Sequence, residues 1–174
     1  MDNYWIWCGS VIKGEDNLYH MFASRWPKEL GFGAHWLFNC EIVRASSDIP
    51  QGSYKFEEVV LSRRDRKYFD GMNVHYPSIR KWNNKYYLYY MGTTYGGPIP
   101  RHESEITSER FTEVWNNKRI GLAVSDSSLH LKYGEVFHIL LIIEELIIGN
   151  TPILKSSTIP NPPLLVLSNN CPAL

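Results

Sequence analysis

Two stretches of this chain share one layout: SVIKGEDNLYHMF at residues 10–22 and SIRKWNNKYYLYY at residues 78–90. In each, a short apolar segment precedes a polar turn and then a segment rich in aromatic residues. A second pair follows in the same order, with IVRASSD at residues 42–48 and IGLAVSD at residues 120–126. A repeat with about four strands per unit predicts a β-propeller, because one such sheet cannot cover both of its faces alone.

The predicted strands are rich in β-branched and aromatic residues, with glycine, asparagine and aspartate between them, as is typical of antiparallel sheets. The polar turns at residues 15–17 and 83–84 suit the left-handed conformations of tight hairpins. Residues 96–117 are expected to form a long inserted loop with a short helix. The expected strands of the first blade are residues 4–8 or 10–13, 18–24, 40–45 and 56–61. The second blade should run from residue 74 to about residue 140, and its clearest strand is expected at residues 85–91.

The composition changes near residue 138. Every Trp, Tyr and Phe residue lies before that point, and an apolar run at residues 139–148 leads into a proline-rich tail. The segment PPLLVLSNN at residues 162–170 is similar to the start of another repeat. We therefore expect residues 1–140 to form two blades, and residues 141–174 to be an aberrant or truncated tail that contains the beginning of a third blade.

The clearest strand carries apolar residues on both of its faces, so both faces are expected to be buried between neighbouring blades. Two blades cannot close a ring, and sheet faces made to pack against further blades should then be exposed. The sequence therefore predicts self-association through these unpaired blade faces.

The formal net charge is zero, from 18 basic and 18 acidic residues. This balance gives no electrostatic footprint for a nucleic acid or an anionic membrane, so neither is an expected partner. The apolar run at residues 139–148 is too short for a membrane span of about 20 residues. The beginning of the chain, MDNYWIWCGS, shows no signal peptide, and the sequence leaves the compartment open.

Motifs for other chemistries are missing from the sequence: it has no P-loop, no dinucleotide fingerprint, no nucleophile elbow and no zinc-protease motif. Cys8, Cys40 and Cys171 lack the spacing of metal ligands, and the six histidines are dispersed. No metal site and no cofactor are therefore predicted. A structural calcium ion in a propeller channel is compatible with scattered oxygen ligands, but the sequence does not require it.

The segments YHMFASRWP at residues 19–27 and YFDGMNVHYPSI at residues 68–79 resemble five-bladed β-propeller glycoside hydrolases related to family 43. GSYKFEEVVL (52–61) and RIGLAVSDS (119–127) resemble the outer strands of those enzymes. The resemblance covers about residues 4–135. It implies an all-β fold, namely a partial five-bladed β-propeller with two four-stranded blades plus the start of a third, as an N-terminal fragment. It also implies a carbohydrate substrate, hydrolysis of a glycosidic bond, and relatives that are often secreted or periplasmic.

The same resemblance implies a general base Asp on the first blade, an orienting Asp on the second and a general acid Glu on the third. Inverting hydrolysis needs one ionised and one protonated carboxyl group about 6.5–9.5 Å apart. This chain instead has Cys8-Gly9 and Pro77-Ser78 at the first two places. Two alternatives to an active glycosidase therefore stay open: a non-catalytic carbohydrate-binding propeller, and a structural repeat domain.

Three carboxylates remain as candidate catalytic residues: Asp70, Asp2 and Glu41. Asp70 shortly precedes the second inner strand, where an Asp-Gly turn is the structural alternative. Asp2 precedes the first strand as part of an exposed terminus. Glu41 and Arg119 begin corresponding strands, a placement that fits funnel-lining groups and an inter-blade ion pair equally.

The candidate substrate-binding residues are Arg25, Trp26, Trp36, His75 and Arg119. Tryptophan rings offer flat apolar platforms to the C–H faces of a sugar, and arginine can hold hydroxyl or carboxylate groups. His75 precedes the proline of the second inner strand, where it can bind a hydroxyl group or tune a carboxylate. Burial of the tryptophans between blades and a structural histidine are the alternatives.

Overall fold

The computed structural model describes residues 1–131 and 136–139, which form two four-stranded antiparallel sheets. The strands of each sheet pair in chain order, as in a propeller blade. The predicted all-β class and the two four-stranded blades are confirmed, whereas the tail at residues 141–174 and its third blade lie outside the described residues. Sheet 1 contains β1 (Tyr4–Lys13), β2 (Tyr19–Pro27), β3 (Glu41–Ser47) and β4 (Lys55–Leu61), and sheet 2 contains β5 (Asn73–Trp82), β6 (Lys85–Thr93), β7 (Arg119–Ser125) and β8 (Val136–Ile139).

Asparagines form the turns that join the first two strands of each sheet. Asn17 has φ 67°, and Asn83 and Asn84 have φ 47° and 58°. Asparagine enters this left-handed region at a lower cost than most residues. In both hairpins the first tyrosine of the second strand lies next to the turn: Tyr19 pairs with Lys13, the last residue of β1, and Tyr86 pairs with Lys81, the next-to-last residue of β5. The repeat seen in the sequence is thus a repeat of structure.

Both inner strands, β1 and β5, contain a β-bulge at equivalent points. The pairing register shifts directly after Trp7 in β1 and directly after His75 in β5. The next residue has positive φ in each case, 53° at Cys8 and 54° at Tyr76. The two segments offered as alternatives for the first strand therefore belong to one bulged strand. A bulge re-aims side chains locally, and here it does so in both sheets.

The main hydrophobic core lies between the two sheets. Leu88 and Tyr90 of β6 pack in one cluster with Phe22 and Ile42 of sheet 1, and all four side chains are at most 1% exposed. On the other face of β6, tyrosines 87 and 89 are buried in a separate cluster. Both faces of this strand are buried, as its alternation predicts. Full burial of one such side chain contributes about 1.5–3 kcal/mol.

The inserted loop between β6 and β7 carries one α-helix, α1 (Ser108–Asn116). Thr107 caps it, because its hydroxyl oxygen accepts a backbone N–H of the first turn at 3.3 Å. Val114 anchors the helix in a second hydrophobic cluster. No helix within the described residues is long and apolar enough to cross a membrane. Short 3-10 helices cover Lys28–Leu30, Ala34–Leu37 and Glu103–Glu105.

A carboxylate in the first hairpin connects the two sheets. Glu15 accepts hydrogen bonds from the hydroxyl of Ser127 and from the backbone N–H and hydroxyl of Ser128, the last two at 3.1 and 2.9 Å. Both serines follow β7. Desolvation raises the pKa of Glu15, but hydrogen bonds from Ser127, Tyr86 and Ser128 outweigh it and lower the pKa from 4.5 to about 2. The ionised carboxylate therefore stabilises the contact between the blades.

We expect Glu15→Gln to lower the free energy of unfolding by about 1 kcal/mol at pH 7, since solvent screens this exposed side chain. The pKa is lower in the folded chain than in the unfolded chain. The stabilisation is thus complete above pH 4.5 and is lost as the pH falls towards 2. Urea unfolding of wild type and variant at pH 7 and pH 3 measures the difference, which should shrink at pH 3. A difference that does not change with pH would contradict this linkage. Asp2→Asn, at an exposed terminal side chain, is the control.

Candidate functional site

A shallow cleft with a volume of about 10 Å³ lies where the two bulges meet, and it is partly open to solvent. The bulge residues Cys8 and Tyr76 both contribute to it. The cleft therefore adjoins the two places, Cys8-Gly9 and Pro77-Ser78, where the family resemblance implies carboxylates. None of the residues that line it carries a carboxylate. The lining residues are Trp7, Cys8, Ser24, Trp26, Trp36, Cys40, His75 and Tyr76.

Two serines of sheet 1 hold the bulge of β5 in place. The Ser24 hydroxyl oxygen accepts the backbone N–H of Tyr76 at 2.9 Å, and the Ser10 hydroxyl oxygen accepts that of Ile79 at 3.1 Å. A bulge disrupts the strand ladder, so acceptors from outside the sheet are useful there. These bonds fix the position of the second bulge relative to the first blade.

Aromatic rings form most of the cleft wall. The ring centroid of Trp36 lies 5.5 Å from that of His75, 6.1 Å from that of Tyr76 and 6.5 Å from that of Trp7. Trp26 lies 6.0 Å from Trp7 by the same measure. Aromatic pairs at such separations stabilise one another, which holds the rings as a firm surface. The wall can therefore pack against a flat apolar face of a ligand.

The protonation of His75 follows from its neighbours. The side-chain oxygen of Asn73 accepts the backbone N–H of Cys40 at 2.6 Å. The amide NH₂ of Asn73 therefore faces the carbonyl of Trp36 at 3.4 Å and the Nδ1 of His75 at 3.0 Å. Nδ1 must then accept, and the ring proton lies on Nε2. Burial, with a smaller effect from Lys118, lowers the pKa of His75 to about 3. His75 is therefore a neutral N–H donor at pH 7.

Three of the five predicted substrate-binding residues line the cleft: Trp26, Trp36 and His75. Trp26 is 1% exposed, and its indole N–H donates to the carbonyl of Gly31 at 3.0 Å. Sequence reasoning did not select Trp7 as a site residue, although it lies in the same aromatic run as the bulge. It also did not select Ser24, Cys40 or Tyr76.

Two other predicted site residues, Arg25 and Glu41, lie on the opposite face of sheet 1. These residues pair across β2 and β3, and Nη2 of Arg25 is 2.7 Å from Oε1 of Glu41. The guanidinium also lies over the rings of Tyr4 and Phe56. Because successive residues of a strand face opposite sides, Trp26 reaches the cleft and Arg25 does not. The substrate contact predicted for Arg25 and the catalytic role predicted for Glu41 therefore belong to residues outside the cleft.

Asp70, Asp2 and Arg119 also lie away from the cleft lining. Asp70 is fully buried, where it accepts Nε–H of Arg64 at 2.7 Å and the hydroxyl of Tyr90 at 2.7 Å. Asp2 is exposed beside the N-terminal amine, 3.8 Å away. Arg119 is exposed and donates to two backbone carbonyls next to the end of α1. The contacts of Asp70 hold the fold together, and the roles predicted for Asp70, Asp2 and Arg119 stay predictions.

Metal-ligating side chains do not gather in the described part of the chain, where no group of three or more His, Cys, Asp or Glu residues is placed to hold an ion. Cys8 and Cys40 are both reduced. Burial raises the pKa of Cys40 well above its usual value, so its thiol stays protonated. A calcium ion in the channel of a complete propeller stays a prediction.

No protein-family model and no curated protein matches this sequence. Among solved structures, a family 117 glycoside hydrolase from the marine bacterium Zobellia galactanivorans matches with a TM-score of 0.52 and 19% identity, over 78% of this chain and 38% of that chain. A GH43_1 enzyme from Xanthomonas citri in complex with xylotriose has a TM-score of 0.45 and 16% identity, over 71% and 30%. A GH43 β-xylosidase/α-arabinofuranosidase from a compost metagenome has a TM-score of 0.46 and 18% identity, over 73% and 33%.

The fold is that of part of a β-propeller and is similar to the propeller of glycoside hydrolases. The chain spans 38% of the length of the family 117 enzyme. The resemblance stated from the sequence is therefore confirmed at the level of the fold. At 19% identity the match carries the fold alone, so activity and ligand are argued from the site.

Proposed function

We propose that this chain is part of a glycoside hydrolase-like propeller and binds a carbohydrate in the cleft between its two blades. The observation that carries the proposal is the cleft itself. Trp36, Trp7 and Tyr76 supply aromatic surface there, and Ser24 and His75 are polar residues of its lining. Flat apolar surface next to a small number of polar groups is typical of sites for small ligands.

The lining residues favour binding over catalysis by these two blades. Acid–base hydrolysis requires two carboxyl groups on either side of the scissile bond. Cys8 lies at the place implied for the base, and none of the lining residues carries a carboxylate. The non-catalytic carbohydrate-binding propeller is therefore the first candidate for this chain.

Hydrolysis of a glycosidic bond is the second candidate, and the match of the fold to a family 117 glycoside hydrolase favours it. Asp70, Asp2 and Glu41 lie away from the cleft, so this reaction would need carboxylates from beyond the two described blades. Release of reducing sugar from a bound glycan by the chain would favour this candidate over simple binding.

Self-association through an unpaired blade face also stays a prediction. Ile6, Val11 and Phe56 are 36%, 41% and 37% exposed. Val11 pairs with Met21 and Phe56 with Ala45, and these partners lie on the face of sheet 1 that points away from sheet 2. An apolar row of this kind supports contact with another sheet face.

We expect Trp36→Ala to weaken carbohydrate binding by about tenfold, which corresponds to about 1.4 kcal/mol. The substitution removes the ring that connects both bulges across the cleft. The measurement is a glycan array with the whole chain, followed by calorimetric titration of the glycan that binds best.

The matched control is Trp82→Ala, since Trp82 packs beside Tyr87 in the separate cluster of sheet 2, away from the cleft. This variant should bind like wild type. Equal weakening by both substitutions, or no binding of any glycan by wild type, would refute the proposed site.

A further inference from the structure

Phe32 covers one of the tryptophans that line the cleft. Its ring is stacked on that of Trp7, with an interplanar angle of 8° and a centroid distance of 5.3 Å. It also lies 5.1 Å from the ring of Trp5 and 5.7 Å from that of Trp26. Phe32 is not among the residues that line the cleft, and it is 48% exposed. A large apolar side chain of the surface therefore lies flat against a ring of the cleft wall.

The segment that carries Phe32 is attached at both of its ends but not between them. On one side the carbonyl of Gly31 accepts the indole N–H of Trp26 at 3.0 Å. On the other side the backbone N–H of Ala34 donates to the carboxylate of Glu103 at 2.7 Å. Within the part of the chain that the structure describes, Phe32 forms no backbone hydrogen bond. High exposure and a lack of backbone bonds are typical of segments that open locally at a low cost, so Phe32 is held mainly by its ring contacts.

Gly31 gives this segment a point of rotation. Its φ of 81° lies in the left-handed region, which glycine enters without steric cost. A Cβ placed on Gly31 would have no atom within 4 Å, so no packed neighbour on that side resists a change of backbone conformation. Movement at Gly31 can therefore carry Phe32 away from Trp7.

The size of the cleft shows why Phe32 matters for binding. A volume of about 10 Å³ is room for about one water molecule, so a sugar ring does not fit inside the cleft. A sugar must instead pack against an aromatic ring of the cleft wall, with its apolar C–H face parallel to that ring. Phe32 already holds this parallel position on Trp7. A sugar can stack on that face of Trp7 only after Phe32 has moved.

The closed position of Phe32 also accompanies two polar groups that lack partners. Nε1 of Trp5 and Nε1 of Trp7 are buried, and neither has an acceptor within the described residues. Phe32 contacts both of these indole rings. A buried N–H group without an acceptor destabilises the arrangement that buries it. Any arrangement that lets water reach either group gains free energy relative to the closed one.

We infer that Trp7 is a stacking platform for one sugar ring of the ligand, and that Phe32 occupies this platform until the ligand displaces it. Residues 31–33 thus form an autoinhibitory flap on the carbohydrate site. Because Phe32 must first move aside, the apparent affinity of the chain is reduced in proportion to the fraction of molecules in which Trp7 is uncovered. This inference rests on the proposed carbohydrate-binding function, and it adds a further binding residue and a means of regulation to that same site.

The first test needs no ligand and measures the quenching of tryptophan fluorescence by acrylamide in the whole chain. Phe32→Ala should raise the quenching constant, because it uncovers Trp7, and a further Trp7→Phe substitution should remove the increase. The matched control is Phe56→Ala, since Phe56 is a 37% exposed phenylalanine on the face of sheet 1 that points away from sheet 2. An unchanged quenching constant in Phe32→Ala would refute the cover on Trp7, whatever the chain binds.

The second test is calorimetric titration of the same proteins with two neutral probes, galactotriose and cellotriose. Phe32→Ala should bind at least one probe about three- to tenfold more tightly than wild type, since the competing ring is gone, whereas Phe56→Ala should bind like wild type. Weaker binding by Phe32→Ala would show that its ring contacts the ligand directly, and equal binding would show that it does not compete. Either result would overturn the inference and leave carbohydrate binding intact.

Trp7→Leu separates the platform from its cover. In the Phe32→Ala background it should remove the gain in affinity and weaken binding by about tenfold relative to Phe32→Ala, which corresponds to about 1.4 kcal/mol. If this double variant does not fold, the quenching and titration of Phe32→Ala decide the question. Absence of binding to both probes in wild type and in Phe32→Ala would refute the platform role of Trp7 together with the proposed function for these sugars.

Discussion

Asp70→Ala is expected to lower the free energy of unfolding by about 3–5 kcal/mol, because removal of one partner from a buried ion pair leaves the other charge uncompensated. Asp70 is 0% exposed, and its carboxylate pairs with the guanidinium of Arg64 and accepts the hydroxyl of Tyr90 at 2.7 Å. Gly92 packs closely against Asp70, since a Cβ at Gly92 would lie 2.3 Å from the Cβ of Asp70.

Urea unfolding at pH 7 measures this loss. Asp126→Ala is the matched control, because Asp126 is 85% exposed in a surface pair with Lys85 at 3.5 Å, and it should cost less than about 0.5 kcal/mol. Tyr90→Phe removes one hydrogen bond and should cost about 1 kcal/mol. If Asp70→Ala proves as stable as Asp126→Ala, Asp70 has no structural role. Loss of a measured turnover in a stable variant would instead support the catalytic role predicted from the sequence.

Phe22→Ala is expected to cost a similar amount, about 3–5 kcal/mol, and to destabilise both blades at once. Phe22 is 0% exposed and belongs to the cluster between the sheets, together with Leu88 and Tyr90 of the second blade. The shared core makes the stability of each blade depend on the other. We therefore expect one cooperative transition, with coincident unfolding curves from fluorescence and from circular dichroism.

Phe56→Ala is the matched control for this core substitution. Phe56 is 37% exposed on the opposite face of sheet 1, where it contacts Arg25, and its loss should cost about 1 kcal/mol. Two separate transitions in the Phe22→Ala variant would show that the blades fold independently, which would contradict the shared core.

The strands and hairpins could be predicted because local chemistry specifies them. Alternating aromatic residues set the two faces of β6, and Asn17, Asn83 and Asn84 have the residue type that left-handed turns prefer. The short helix in the inserted loop follows from equally local features, with Thr107 as its cap. Because each of these depends on neighbours in the chain, a single sequence is enough.

The candidate site was predictable only in part. His75, Trp26 and Trp36 were selected for their residue type, and they line the cleft. Arg25 was selected by the same reasoning, but strand alternation turns it to the other face, where it pairs with Glu41. No composition rule distinguishes neighbouring residues of a strand until it is known which face meets the second blade.

Asp70 shows that a sequence motif alone does not determine the role of a residue. An Asp-Gly pair before a strand is compatible with a turn, a catalytic group or a buried ion pair, and only the positions of Arg64 and Tyr90 decide among these. The bulges show the same limit, because Cys8 and Tyr76 are not residue types that favour positive φ. Both conformations accompany the shift in strand pairing, and at Tyr76 the backbone N–H also donates to the hydroxyl oxygen of Ser24 in the other sheet.

The sequence by itself determined the repeat, the all-β class, the order of the strands and the resemblance to propeller glycoside hydrolases. Periodicity and turn preference depend on residues that are close together in the chain, so a single sequence shows them. Only the tertiary structure decided that the two bulges meet, that aromatic rings and not carboxylates line the cleft, and that the buried Nε2–H of His75 has no acceptor within the described residues. These properties arise where the two sheets contact each other. Residues far apart in the chain create them jointly, so local sequence carries no signal for them.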